Sequence, residues 1–390
     1  MFKGYAEFAA AESFLANAAE RYSFHKDNIR KFCDIPVSAL GMGTYLGAMD
    51  LPTDSRVSKT ALNAIKKGIN FFDTAINYRG QRAERALGEA FRQALLKGTL
   101  RRNEFFVSTK GGFVPFESTP ETDIAALFNR EYVARSLAKT TDLIAQCHCL
   151  APSYIADQID RSRQNLGLET IDLYYLHNPE TQLEELPERL VYEKLFEAFR
   201  ELEKARAQGK IRYYGIATWN GLRELPDSSG YLSLQKVLSA AQAAAPHSGQ
   251  NEGSPHGFRA IQMPYNLVMN EGATRKTQSL SQGDSMTTPF NAAKAMGLSV
   301  AVSAPLYQGR ICEGQPPFVT KEYNPDTYGT GLTGAQRALL FALSTPSVDA
   351  VMTGMKDLKH LEENAAALCM KPLCLDRLSA LLRIPVAAGQ

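Results

Sequence analysis

A (β/α)8 TIM barrel of the α/β class is the fold this sequence predicts, on three observations. Eight short apolar stretches, near 40–44, 69–73, 105–109, 171–176, 211–217, 258–263, 298–303 and 348–352, read as buried strands. Helical apolar spacing separates most of them, and such alternation calls for a parallel sheet. Eight such units over about 340 residues fit a closed barrel with long loop insertions. A doubly wound open sheet is the alternative. Against it, no GxGxxG closes a first strand with an acidic residue downstream.

Taken in order, residues 5–32 are Ala-rich, with Phe8, Phe14, Leu15 and Tyr22 as sparse apolar points, and read as a weak helix. Residues 35–44 read as one short buried strand with glycines at its tip. Ser58 to Gly68 carries Ala61, Leu62 and Ile65 on one helical face. Residues 83–96 form an amphipathic helix after the strand 69–73, and the strand at 105–109 ends in Lys110-Gly111-Gly112. The long connection 111–150 is expected to fold over the barrel mouth. A helix at 152–165 stops at Gly167, and another over 192–208, with Leu195, Phe196, Phe199 and Leu202 in register, stops at Gly209. Helices at 332–343 and 358–367 flank the last strand. The expected organisation is an N-terminal helical extension (1–34), a barrel (35–375) with inserted loops at 111–130, 221–257, 266–290 and 308–331, and a tail (376–390). Long polar or Pro/Gly-rich loops at a barrel mouth often close over substrate.

Net charge is +2 over 390 residues, with 44% hydrophobic and 22% charged residues. That balance gives no pointer to nucleic acid or to a membrane surface. The longest apolar-rich runs are broken by Gly, Ser or Thr, so no transmembrane span is expected. No charged-then-apolar leader precedes the first elements. Six cysteines form no CxxC pair. Cys147 and Cys149 flank His148, but no second ligand cluster accompanies them, so no metal site is expected. The expectation is a reduced, cytoplasmic protein, monomeric or a small homo-oligomer.

The stretch Phe71-Phe72-Asp73-Thr74-Ala75-Ile76-Asn77-Tyr78 organises the chemistry. A buried strand runs into a polar tip with a carboxylate, and a phenol follows five residues on. Asp73, Lys110 and His177 each end a strand, with Tyr78 just beyond the first, so all four face one mouth if the barrel closes. A tyrosine serves as general acid when a nearby ammonium favours the phenolate. A carboxylate keeps that ammonium charged and in place, and a histidine orients a carbonyl oxygen. The set suits proton donation to a carbonyl while hydride arrives from a nicotinamide, since no side chain supplies hydride. Taken singly, Asp73 is also compatible with a helix cap, Tyr78 with a loop phenol, Lys110 with a surface lysine and His177 with a core histidine.

Over residues 36–370 the chain resembles the aldo-keto reductases. Leu40-Gly41-Met42-Gly43-Thr44 resembles that family's first glycine-bearing strand. Asp73-Thr74-Ala75 with Tyr78, Ser108-Thr109-Lys110 and Asp172-Leu173-Tyr174-Tyr175-Leu176-His177 resemble the stretches that carry its catalytic tetrad. The resemblance implies a catalytic set of Asp73, Tyr78, Lys110 and His177, and a barrel that binds NADP(H) or NAD(H) without a Rossmann domain.

The resemblance also implies a cofactor site. Gly43 and Thr44 belong to its first strand. Gly215-Ile216-Ala217-Thr218-Trp219-Asn220 resembles a stretch that holds the nicotinamide carboxamide, with Ala217 in the place of a Ser and Thr218 in the place of an Asn. Gln262 matches a further carboxamide ligand. Val302-Ser303-Ala304-Pro305-Leu306 resembles a stretch in which a Tyr stacks on the nicotinamide. Ser303 stands in that place, so the platform is either missing or supplied by Trp219 or a loop aromatic. Gly309 and Arg310 fall in a loop that contacts the pyrophosphate. Gly354, Lys356, His360, Glu363 and Asn364 fall at the adenine end, where a cation at 356 or 360 favours NADP(H) over NAD(H). Phe113, Pro115 and Phe116, with Tyr45 and Trp219, are candidates for the substrate mouth. The implied activity is reduction of a small carbonyl, or oxidation of the matching alcohol. A slow cofactor-binding or regulatory protein on the same scaffold is the alternative, favoured by Ala217 and Ser303.

Overall fold

The computed structural model describes residues 1–117, 122–245, 256–281, 283–312 and 331–382. Ten strands are described: β1 (Ile29–Phe32), β2 (Ile35–Ser38), β3 (Leu40–Gly43), β4 (Phe71–Asp73), β5 (Phe106–Gly111), β6 (Ile171–His177), β7 (Ile211–Ala217), β8 (Phe258–Pro264), β9 (Ser299–Ser303) and β10 (Ala350–Gly354). The last eight are parallel to their neighbours and close into a barrel in sequence order, with β10 pairing both β9 and β3. Closure rules out the open doubly wound sheet. Each of the eight expected strand positions holds one barrel strand, displaced by at most two residues at either end.

Helices fill the connections: α1 (Phe8–Tyr22) before the barrel, then α2 (Leu51–Lys66), α3 (Arg82–Leu96), α4 (Ile124–Phe128), α5 (Pro152–Leu166), α6 (Glu188–Ala207), α7 (Leu234–Ala244), α8 (Glu271–Thr274), α9 (Pro289–Ala295), α10 (Gly334–Leu343), α11 (Leu358–Ala365) and α12 (Leu375–Leu382). Their ends follow capping chemistry. Asp50 accepts the Thr53 amide at 2.8 Å, so α2 starts seven residues earlier than apolar spacing alone suggests. Gly167 ends α5 in the left-handed region (φ 70°), as its position predicts. No helix of the described residues is long and apolar enough to cross a membrane.

The stretch 35–44 is two strands rather than one. β2 pairs antiparallel with β1 in a hairpin, and the barrel begins only at Leu40. Cys33 and Asp34 turn the hairpin with φ of 48° and 65°, so the expected boundary between residues 34 and 35 falls beside this turn. The hairpin plugs the N-terminal end of the barrel. Phe32 meets Phe71 and Phe106 with ring centroids 5.0 and 5.6 Å apart, and Ile35 and Val37 join the same cluster. Such ring pairs contribute about 0.5–1.5 kcal/mol each beyond the area they bury.

The N-terminal segment is tied to that end by a buried acid. Asp172 accepts from the Ala6 amide at 2.7 Å, from Arg102 at 2.6 Å and from the Val107 amide at 2.9 Å. Three donors offset the cost of burying its charge. Alternate residues of the barrel strands point inward. They are apolar near the plug (Phe71, Phe106, Leu173, Ala260, Ala301, Ala350) and become polar toward the opposite rim (Asp73, Ser108, Lys110, His177, Gln262). The expected tail opens with α12. Residues 118–121, 246–255, 282, 313–330 and 383–390, which hold parts of the expected insertions and tail, lie outside the described residues.

Candidate active site

The polar rim lies at the C-terminal ends of the strands, where a barrel of this kind carries its chemistry. A cleft of about 800 Å³ opens there. At its floor, strand register sets the charged pair. Asp73 of β4 lies opposite Ser108 of β5, and Lys110 lies one inward-facing position further along. The Lys110 Nζ donates to Asp73 Oδ2 at 2.6 Å and to the Thr74 carbonyl at 2.8 Å. Asp73 Oδ1 accepts from Ser108 Oγ at 2.7 Å and from Gln262 Nε2 at 3.1 Å. The carboxylate is thus fully engaged, which is what a charge only 4% exposed requires.

An ammonium has three protons. Two go to Asp73 and Thr74, and the third faces Tyr78, whose ring centroid is 5.0 Å from Nζ. Burial works against the Lys110 charge, but the Asp73 carboxylate, aided by Tyr78, outweighs it and holds Lys110 above the usual lysine range. For Tyr78 the balance falls the other way from the sequence argument. Burial raises its proton affinity, and Lys110, pulling it down by charge and hydrogen bond, does not compensate, so the phenol lies above the usual tyrosine value. The phenol therefore keeps its proton at neutral pH.

His177 ends β6 and packs edge-on against Tyr78, with centroids 5.7 Å apart. Burial first, then the charge of Lys110, push it well below the usual histidine range, so it is a neutral imidazole. Phe113 packs edge-on against the same ring at 5.1 Å. Tyr45 meets Tyr78 from the solvent side at 5.0 Å.

The structure places Asp73, Tyr78 and His177 in the lining of one cleft, with Lys110 directly behind them. Gly43, Thr44, Thr218, Gln262, Ser303, Pro305, Leu306 and Gly309 line the same cleft, as do Gly354, Lys356, His360, Glu363 and Asn364 at its far end. Arg310 does not. Its guanidinium lies over the Tyr307 ring, 5.5 Å from the centroid, and the residue is outside the lining. The left-handed turn at Tyr307 and Gln308 (φ 47° and 58°) redirects the chain just before it. Gln262, expected to face a cofactor, spends its Nε2 on Asp73. Trp219, 38% exposed, lines the cleft as the sequence reading allowed.

Two lining hydroxyls fit a bound polar group. Thr218 Oγ1 and Thr353 Oγ1 are buried in the cleft wall and have no hydrogen-bond partner. Such orphans are costly unless a ligand or water meets them. Thr218 is the residue that stands where the carboxamide contact is expected.

Several contributors escape a reading of the sequence. Ser108 was findable, because it sits two residues before Lys110 on the same strand face. Glu180 had no signal. Its Oε1 accepts from the Trp219, Asn220 and Gly221 amides at 2.6, 3.0 and 3.3 Å and so fixes the Trp219 loop. His148 and Gln182, buried beneath His177, had none either.

An eight-stranded parallel barrel with a buried Lys–Asp pair, a phenol and an imidazole at one end of an elongated cleft defines a class of enzyme scaffold. Residues 39–277 match the aldo/keto reductase family, and the chain belongs to it. It is 26% identical over 352 residues to the Schizosaccharomyces pombe aldo-keto reductase yakc [NADP(+)], covering 88% of this chain and 87% of that one. It is 30% identical over 189 residues to the Escherichia coli NADH-specific methylglyoxal reductase, covering 47% and 49%. Among solved structures, the aldo-keto reductase AKR11C1 from Bacillus halodurans in its holo form superposes with a TM-score of 0.62 at 18% identity, covering 93% of this chain and 98% of that one. The last likeness concerns the fold alone. The protein is an oxidoreductase of this family.

Proposed function

We propose that this protein transfers hydride between a bound nicotinamide dinucleotide and a small aldehyde or ketone, with Tyr78 as general acid in reduction and general base in oxidation. The observation that carries the reading is the meeting of Tyr78, the Lys110–Asp73 pair and the neutral His177 ring at one end of a cleft. The other end of that cleft presents Lys356, His360, Glu363 and Asn364.

When bound, the nicotinamide supplies the hydride. The chain's own residues do the rest. Tyr78 holds a proton at its hydroxyl at neutral pH and gives it to the nascent alkoxide. Lys110 stabilises the phenolate that is left, and Asp73 keeps Lys110 charged and in place. His177, neutral, orients the substrate oxygen by hydrogen bonding without adding a competing charge. Thr218 and Gln262 would hold the carboxamide, and Glu363 and Asn364 the adenine. Phe113, Tyr45 and Trp219 screen the reacting atoms from water.

Lys356 and His360 favour NADP(H) over NAD(H), because either cation can meet a 2′-phosphate. The name of the yeast relative points the same way, and that of the E. coli relative to NADH. The test is to titrate the protein with NADPH and NADH by protein fluorescence, then follow oxidation of the tighter binder across a panel of aldehydes and ketones. Binding of neither dinucleotide would overturn the reading. Binding without turnover of any carbonyl would favour instead a cofactor-binding protein on this scaffold, a role that Ser303 in the place of a stacking tyrosine also fits.

A further inference from the structure

The Cys147-His148-Cys149 stretch has no place in the chemistry so far, yet its histidine is wholly buried under the site. The chain after β5 doubles back to put it there. Val114 donates to the Cys147 carbonyl at 2.8 Å and Cys149 to the Gly112 carbonyl at 2.9 Å, so that Phe113 and His148 face each other across a short antiparallel bridge. His148 Nε2 then lies 2.7 Å from the backbone oxygen of His177, and its Nδ1 lies 2.8 Å from Gln182 Nε2.

The carbonyl decides the proton inventory. It can only accept, so Nε2 carries the hydrogen, Nδ1 is the acceptor, and the Gln182 amide must turn its NH2 group inward. Protonation of Nδ1 would set two donors against each other, and burial holds the His148 ring neutral. His148 is thereby committed to one tautomer and one orientation.

The bond falls where β6 ends. Asn178 leaves the strand in the left-handed region (φ 45°), which swings the chain away directly after His177. Gly112 keeps the approach open. A Cβ there would stand 2.6 Å from His148 Nε2 and 3.1 Å from the His177 oxygen. Phe113 sits edge-on to both imidazoles, at 5.0 and 5.1 Å. Its own carbonyl is pinned by Tyr154 Oη at 3.0 Å and Gln158 Nε2 at 2.9 Å.

We infer that His148 is a positioning residue. Through the bond from its Nε2 to the His177 carbonyl, and with Phe113 wedged between the two rings, it sets where the His177 imidazole meets the substrate oxygen. The inference rests on the role proposed for His177. It touches neither cofactor nor substrate and acts only through its neighbour.

A double-mutant cycle tests it, because a pair acting through one contact is not additive. Four proteins are compared: wild type, His148→Ala, His177→Ala and the double variant. His148→Ala is expected to lower kcat for carbonyl reduction by about 10- to 10²-fold, the scale of a misplaced catalytic group, with the dissociation constant for NADPH unchanged. The double variant should be no slower than His177→Ala. His148→Gln, which can donate to the carbonyl and accept from Gln182, should recover most of the rate.

A double variant slower by the product of the two single effects would overturn the inference and leave the role of His177 standing. A His177→Ala protein as fast as wild type would overturn both. A readout independent of turnover is the imidazole ¹⁵N spectrum of the unliganded protein. His177 resonances should move in His148→Ala and return in His148→Gln. Resonances indifferent to residue 148 would contradict the inference.

Discussion

The Lys110 ammonium and the Asp73 carboxylate form an ion pair at 2.6 Å across adjacent strands, with side chains only 1% and 5% exposed. At that burial each charge depends on the other. Removing one partner of a buried pair typically costs about 3–5 kcal/mol, because the survivor is left uncompensated, whereas removing both costs less. Asp73→Leu and Lys110→Met should each lower unfolding stability on that scale, and the double variant should be more stable than the sum of the two predicts. Denaturant unfolding of the four proteins measures this. Additive losses would mean that the pair is not a unit.

The protonation states set a pH profile for reduction. Burial raises Tyr78 above the usual tyrosine value, so its acid form persists through neutrality and is lost only as pH rises through that raised value. His177 lies far below the usual histidine value, so it does not charge near neutrality. The expected profile of kcat/KM against pH in the reductive direction is flat from about pH 6 to 9, with its fall at alkaline pH. A break near pH 6.5 abolished by His177→Asn would show that this ring titrates in the ordinary range.

His148 ties acid stability to the same region. Its folded-state value is lowered from 6.5 to about 4 by burial. Above pH 6.5 the ring is neutral both folded and unfolded. As pH falls from there toward about 4, only the unfolded chain takes up the proton, so stability is lost. The full loss is about 3 kcal/mol from this group. The thermal midpoint should therefore drop across that window, and less steeply in His148→Gln. Equal slopes for the two proteins would contradict this assignment.

Cofactor choice is predicted from the far end of the cleft. Lys356→Ala and His360→Ala should weaken NADPH binding and leave NADH within about twofold, because a charge-assisted phosphate contact is worth roughly 1.5–3 kcal/mol. Fluorescence titration with each dinucleotide gives the ratio directly. A parallel loss for both would place these residues on the shared part of the cofactor.

How far the molecule could be read from its sequence follows from the range of each interaction. The barrel strands were legible because each is a short apolar run between turn signals. Asp73, Lys110 and His177 were legible because they end such runs. β1 was not, since Ile-Arg-Lys-Phe is half polar and its turn, Cys33-Asp34, carries no glycine or asparagine to mark it. At Tyr78 the sequence shows only one of the two opposing effects. Charge alone argued for an easier proton loss, while the closure of the site by Tyr45 and His177, which sequence spacing does not reveal, makes burial the larger effect. Arg310 was placed by its neighbourhood in the chain, and a single left-handed turn moved it off the cleft. His148 lies in an irregular loop and reaches His177 from 29 positions away, with α5 and β6 between them, a contact with no periodicity to betray it.

The most direct test of the central claim is Tyr78→Phe. The substitution removes one hydroxyl and keeps the ring that packs against Tyr45 and His177. The account predicts NADPH binding within about twofold of wild type, with carbonyl reduction slower by about 10²–10⁴-fold. Unchanged turnover with intact binding would contradict it and take the general acid away from Tyr78.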